Sequence, residues 1–239
     1  MVLEAALERA IATAITCVGE RSPDRSIAPP FPKGHTMEVF TAIDTRRSVR
    51  TFTPEEVPDE VLQTMAEAAL KAPSISGAPL VGLVAVKRAD RIQRMAHSVA
   101  AAVAALDLSD AQVHSAVTHF STFFGDAPAL LAFTRRPYTA VIDDALTAAQ
   151  GHDHLNATRG YPDLLSVGAA VQNALLAATA LGFHTCWLSA PLIARPALEA
   201  IMGIALPWQL AALVAVGRGA ASPKARPELD LAARFRIEA

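Results

Sequence analysis

Residues 44–52 read Asp-Thr-Arg-Arg-Ser-Val-Arg-Thr-Phe, so Arg46, Arg47 and Arg50 stand within a few positions of one another and of Ser48. Guanidinium groups match phosphate oxygens bidentately, and a hydroxyl adds one more hydrogen-bonding group, so this combination suits a phosphate. A second basic pair, Lys224 and Arg226, follows the last apolar run. On residue types alone, two solvated surface patches are the plainer reading of both. The chain as a whole is nearly balanced, with 21 basic and 23 acidic side chains and a formal net charge of -2. A nucleic-acid or anionic-membrane binder needs a surplus of Lys and Arg over a broad face, so the arginine cluster is a local device.

Other chemical devices are missing. No G-x-x-x-x-G-K-[ST] and no G-x-G-x-x-G follows a strand, which argues against a P-loop or a dinucleotide fingerprint, and G-x-S-x-G is absent as well. His152, Asp153 and His154 are adjacent, but a loop H-x-H with no third ligand at helical spacing reads as a solvated turn. No metal site is expected. Cys17 and Cys186 lie far apart without a C-x-x-C, so neither a disulfide framework nor a zinc site is encoded, and a reducing cytoplasm fits.

These groups need a scaffold. With 239 residues, 52% of them hydrophobic, the chain can bury a sizeable core in one domain. Residues 1–36 read as an appended arm. An amphipathic helix, whose Glu4, Glu8 and Arg9 interrupt any signal-peptide core, is followed by a Pro-rich linker. From residue 37 to 239 helical and strand patterns alternate. "MEVFTAIDTRR" predicts a short helix, and "PDEVLQTMAEAALKAPS" a longer one with Pro58 and two acids at its start.

"LVGLVAVK", "APALLAFT", "HTCWLSAP" and "WQLAALVAVGRG" predict four strands, the first of them fully apolar. Two helices are predicted between the first two strands. Residues 135–161 read as a long irregular loop, functional or mobile. "LLSVGAAVQNALLAATALGF" reads as a helix buried on most sides, and "PALEAIMG" as a short helix closed by Gly203. A sheet of about four strands with helices on its faces is α+β. The strand-length apolar runs fall short of the roughly 20 residues a membrane span requires.

Taken in order, "RRSVRTF", "VPDEVLQTMAEAALKAPS", "SVGAAVQNALLAATALGFHTCWLS" and "LVAVGRGAASPKARPEL" resemble the nitroreductase family of FMN-dependent flavoenzymes over about residues 37 to 231. The resemblance implies a mainly antiparallel sheet of four to five strands flanked by helices. It also implies an intertwined homodimer with a flavin at each of two interface sites. It assigns Arg46, Arg47, Ser48 and Arg50, with Lys224 and Arg226, to the FMN phosphate and ribityl chain. Pro73, Ser74 and Ser76 are placed against the flavin from the other subunit, and Trp187 beside the isoalloxazine ring. A backbone N–H of Leu188 or Ser189 faces N5. The implied reaction is hydride transfer from NADH or NADPH to FMN, then to a nitroaromatic, quinone or similar conjugated acceptor, in ping-pong order. Specialised relatives that fragment flavin, dehalogenate or oxidise azolines, and a flavin-sequestering protein with little turnover, remain alternatives.

Two departures stand out. Relatives commonly follow A-P-S with a segment like N-x-Q-P-W, whereas this chain reads "APSISGAPLV", which implies a looser pocket. Where they usually show W-I-G, this chain has Trp187-Leu188-Ser189 and so carries a side chain where glycine permits close approach.

Overall fold

The computed structural model describes residues 37–106, 110–138, 152–222 and 225–238. The predicted arm, residues 1–36, lies outside them. Four strands, β1 (Val81–Val86), β2 (Ala129–Arg135), β3 (His184–Leu188) and β4 (Gln209–Gly217), form one antiparallel sheet in the order β1-β2-β4-β3. The architecture is α+β, as predicted.

The central strands β2 and β4 are apolar at nearly every position because helices cover both faces of the sheet. Side-chain alternation divides them between two cores. Leu130, Ala132, Leu213 and Ala215 face α3 (Ala89–Ala104) and α7 (Arg195–Met202), through Ile92, Met95, Val99 and Leu198. On the other face, Leu131, Phe133, Ala212 and Val214 meet α2 (Asp59–Leu70) and α6 (Pro162–Ala180), through Met65, Val167, Val171 and Ala174. β1 departs from the fully buried strand that its composition suggests. It is an edge strand, half-buried along most of its length and exposed at Ala85.

α6 has the length and composition of a membrane span, but its Val167, Ala170, Val171, Ala174 and Ala178 are buried against α2 and the sheet. It is the core helix expected from its small residues. Pro162 occupies its first turn, with Asp163 beside it at the positive end of the dipole. α7 ends where Gly203 adopts φ 73, the left-handed cap its sequence announced.

The stretch read as a long loop contains α5 (His152–Thr158), so His152 and His154 belong to a helix rather than to a turn. Among the described residues no three His, Cys, Asp or Glu gather as a metal site.

A further segment extends the sheet. After α1 (Val39–Thr45), residues 48–53 lie beside β3 and the end of β4. Ser48 bridges Thr185 in parallel and Phe52 bridges Gly219 in antiparallel. Val49 N donates to Thr185 O at 2.9 Å, Thr53 N to Arg218 O at 2.8 Å and Ala220 N to Thr51 O at 3.0 Å. A Cβ at Gly217 would lie 2.8 Å from Pro128 Cγ and 2.9 Å from Phe52 Cδ1, so the approach of Phe52 to the sheet requires glycine there.

Candidate functional site

α1 stops because Arg46 leaves the helical region, at φ -55 and ψ 128, and turns the chain into the extended segment along β3. The helix C-terminus exposes carbonyls that attract cations. Arg226, on the far side of the sequence, donates through Nη2 to Ile43 O at 3.0 Å and to Arg46 O at 3.3 Å. Arg47 donates through Nη1 to Arg46 O at 2.9 Å and to Asp44 O.

Burial, then the charges of Arg226 and Arg47, push the Arg46 guanidinium below its ordinary value. Among the described residues, no carboxylate forms an ion pair with Arg46, Arg47, Arg50 or Arg226. Converging cations without an acidic partner form a site that favours an anion.

Ser48 and Arg50 belong to the same cluster through Cys186. This buried thiol is pushed up by burial, opposed by the fields of Arg50 and Arg46 and by a hydrogen bond from Ser48. The structure thus brings together Arg46, Arg47, Ser48, Arg50 and Arg226. Lys224 lies outside the described residues. Next along β3, Trp187 is 46% exposed on the side of α6, where a Cβ at Gly168 would stand 3.9 Å from its ring. Leu188 is buried, while Ser189 is exposed with φ -114, a conformation open to any residue. The absence of glycine at position 189 therefore introduces no backbone strain.

Pro73 and Ser74 sit elsewhere, between the end of α2, the start of β1 and α6. They line a cavity of about 270 Å³ together with Gly77, Leu80, Ser166 and Ala170. Within one chain the predicted residues therefore form two separate groups. A larger cavity of about 430 Å³ lies between α2 and β1, but its Lys87 is already paired with Glu56 at 2.7 Å and Asp59 at 2.6 Å. It contains none of the predicted residues.

The 75–81 segment is better anchored than its composition suggests. Ile75 N donates to Ser166 Oγ at 3.2 Å, and Ser74 Oγ to Ala78 O at 2.8 Å. Ser76 adopts φ 53, a left-handed conformation that costs a non-glycine residue on the order of 1 kcal/mol, and its hydroxyl meets Tyr138 Oη at 3.2 Å. The Arg159 guanidinium lies 6.0 Å from the Tyr138 ring centre. Sequence reasoning flagged the 135–161 stretch but did not single out Tyr138.

It also missed a buried ion pair. Arg135 at the end of β2 meets Asp163 in the first turn of α6, and Arg135 Nη2 donates to Gln209 Oε1 at 3.0 Å. Two strands and the core helix are joined there, next to the cavity-lining Val81, which pairs with Arg135.

The nitroreductase family model matches residues 43–218. The chain belongs to the nitroreductase family. Solved structures with the nitroreductase fold agree. A BluB-like flavoprotein from Clostridium difficile 630 shares 24% identity with a TM-score of 0.75, over 85% of this chain and 100% of that one. A nitroreductase with bound FMN from Desulfitobacterium hafniense DCB-2 shares 22% identity, with a TM-score of 0.67 and the same coverage. An NADPH:FMN oxidoreductase from Vibrio harveyi, complexed with NAD+, shares 18% identity, with a TM-score of 0.61 over 84% of this chain and 77% of that one. The nitroreductase match spans both the arginine segment and the Trp187 strand.

Proposed function

We propose that this nitroreductase-family oxidoreductase binds FMN and passes reducing equivalents from NADH or NADPH to a quinone, nitroaromatic or similar conjugated acceptor. One observation carries the reading: three guanidiniums converge at the end of α1, and among the described residues no carboxylate pairs with them. That donor set fits a phosphate dianion, which shares its charge among several cations. Arg46, Arg47, Ser48, Arg50 and Arg226 hold the phosphate and ribityl end, joined by Lys224.

Trp187 gives the ring system an exposed aromatic edge, and the backbone N–H of Leu188 or Ser189 orients its reactive nitrogen. When bound, FMN would supply the redox chemistry, hydride transfer between NADH or NADPH and the acceptor. The chain supplies placement and electrostatics, so no acid–base dyad is needed.

The second group, Pro73, Ser74 and Ser76, meets the flavin of a partner subunit in this reading. A homodimer is supported by the apolar side chains left open on α1 and α6, where Phe40 is 77% exposed and Val39, Leu164 and Leu165 are exposed as well. Residues 37–239 then form one FMN-binding domain with residues 1–36 as an arm. A reducing cytoplasm suits the free thiol of Cys186.

The purified protein is expected to show flavin absorbance, to bleach with NADPH and to recover its colour with a quinone. Protein that takes up no FMN overturns the proposal, and bound flavin without turnover turns it into sequestration. Sedimentation equilibrium at micromolar concentration is expected to give a dimer; a folded, flavin-loaded monomer contradicts that part.

A further inference from the structure

His184 opens β3 and pairs with Gly217, the last residue of β4, so the ladder between these strands ends there. One more bond extends the contact, because Gly219 N donates to His184 Nδ1 at 3.1 Å. The imidazole ring takes the place of a missing backbone acceptor. Gly219 in turn organises the segment laid along β3. It bridges Phe52, and its neighbours Arg218 and Ala220 bond Thr53 and Thr51. A Cβ at Gly219 would stand 3.3 Å from Val49 Cγ1 and 3.4 Å from the His184 ring, so three segments of the chain meet closely at this point.

Both halves of the arginine cluster adjoin that meeting point along the chain. In one direction the Phe52 bridge sets the segment that begins at Arg46 and carries Ser48 and Arg50. In the other the chain runs on from Gly219 to Arg226, which caps the carbonyls of Ile43 and Arg46. We infer that His184 is a positioning residue for the anion clamp, its neutral Nδ1 holding Gly219 and thereby the register between the Arg46 segment and Arg226. The inference rests on the reading of that cluster as the FMN phosphate site.

A neutral imidazole has one acceptor nitrogen, and here Nδ1 is the acceptor, so the proton belongs on Nε2. An imidazolium has no acceptor, and protonation would set an N–H against the Gly219 N–H. The charge of Arg218 opposes that protonation. Arg218 lies on the neighbouring strand end, its guanidinium 4.2 Å from the Phe183 ring centre and 3.3 Å from Glu55 Oε1. Burial, then the charge of Arg218, lowers the His184 pKa from its ordinary 6.5. The folded state thus binds this proton less readily than the unfolded state. The stabilisation is complete above the ordinary value and is lost as pH falls through the folded value beneath it.

The test is FMN titration into apoprotein between pH 7.5 and 5.0, followed by flavin fluorescence, for wild type, His184→Asn and His184→Leu. Asn offers an acceptor oxygen close to the position of Nδ1 and does not titrate, whereas Leu offers no acceptor. The phosphate's own titration near pH 6 is common to all three proteins and cancels in the comparison.

The Asn variant is expected to bind like wild type at pH 7.5 and to lose about fivefold less affinity than wild type on acidification; the Leu variant is expected to be about fivefold weaker at pH 7.5, the loss of one hydrogen bond. Parallel pH profiles for wild type and Asn, or wild-type affinity in the Leu variant at pH 7.5, overturn the inference. If none of the three proteins binds FMN, the phosphate reading fails by itself. Amide hydrogen exchange of residues 218–220 in the same apoproteins then decides His184. Exchange beyond the Asn variant's at low pH in wild type supports the inference, and equal exchange overturns it.

Discussion

Replacing Arg135 by Met is expected to destabilise the protein by about 3–5 kcal/mol, the range for removing one member of a buried ion pair. The Asp163 side chain is only 3% exposed and Arg135 is 23% exposed, so the carboxylate left behind has no water to compensate it. Its Oδ1 already lacks a hydrogen-bond partner, and the variant would orphan Oδ2 as well. Because the pair joins the end of β2 to the first turn of α6, the loss would spread to the wall of the 270 Å³ cavity. Thermal unfolding should show a midpoint lowered on the order of ten degrees. Arg135→Met combined with Asp163→Leu should recover much of this, since replacing both charges by apolar groups is often neutral. A single variant within about 1 kcal/mol of wild type would show that water reaches the pair.

The second large effect concerns the cofactor. Arg46→Ala is expected to weaken FMN binding by roughly ten- to a hundredfold, from the loss of about 1.5–3 kcal/mol in a hydrogen bond to a charged group. Arg46 is the guanidinium on which burial and the charges of Arg226 and Arg47 converge, so its charge gains from a nearby anion. Arg47→Ala should cost less, because that side chain is occupied by the carbonyls of Asp44 and Arg46. Wild-type affinity should fall with ionic strength, and the Arg46→Ala affinity less steeply, since one charge contact is gone. Fluorescence titration at two salt concentrations checks both statements. Unchanged affinity in Arg46→Ala would make the cluster a solvated surface.

Much of this architecture was legible from local pattern. α6 was readable because its small and apolar residues cover nearly every face, and the end of α7 because Gly203 follows the last periodic residue. The clustering of basic groups at residues 46–50 was readable from residue type, though type alone read it as a surface patch, and the family was readable from four segments in order. The edge position of β1 was not, since a run of apolar residues looks the same in an edge strand as in a central one. Nor was α5, whose seven residues are too few for helical periodicity to stand out from a loop.

By itself, then, the sequence determined the elements and the chemical groups they carry. Periodicity, capping and side-chain type act over a few neighbouring residues and survive in the chain before it folds. The tertiary structure decided which groups meet. Arg226 reaches the carbonyl of Ile43 across a separation of 183 residues, and Gly219 the ring of His184 across 35. Arg135 finds Asp163 only because α6 packs on one face of the sheet with its first turn near the end of β2. The physical reason is that these bonds depend on strand order and helix placement, set by how two apolar cores close on opposite faces of one sheet.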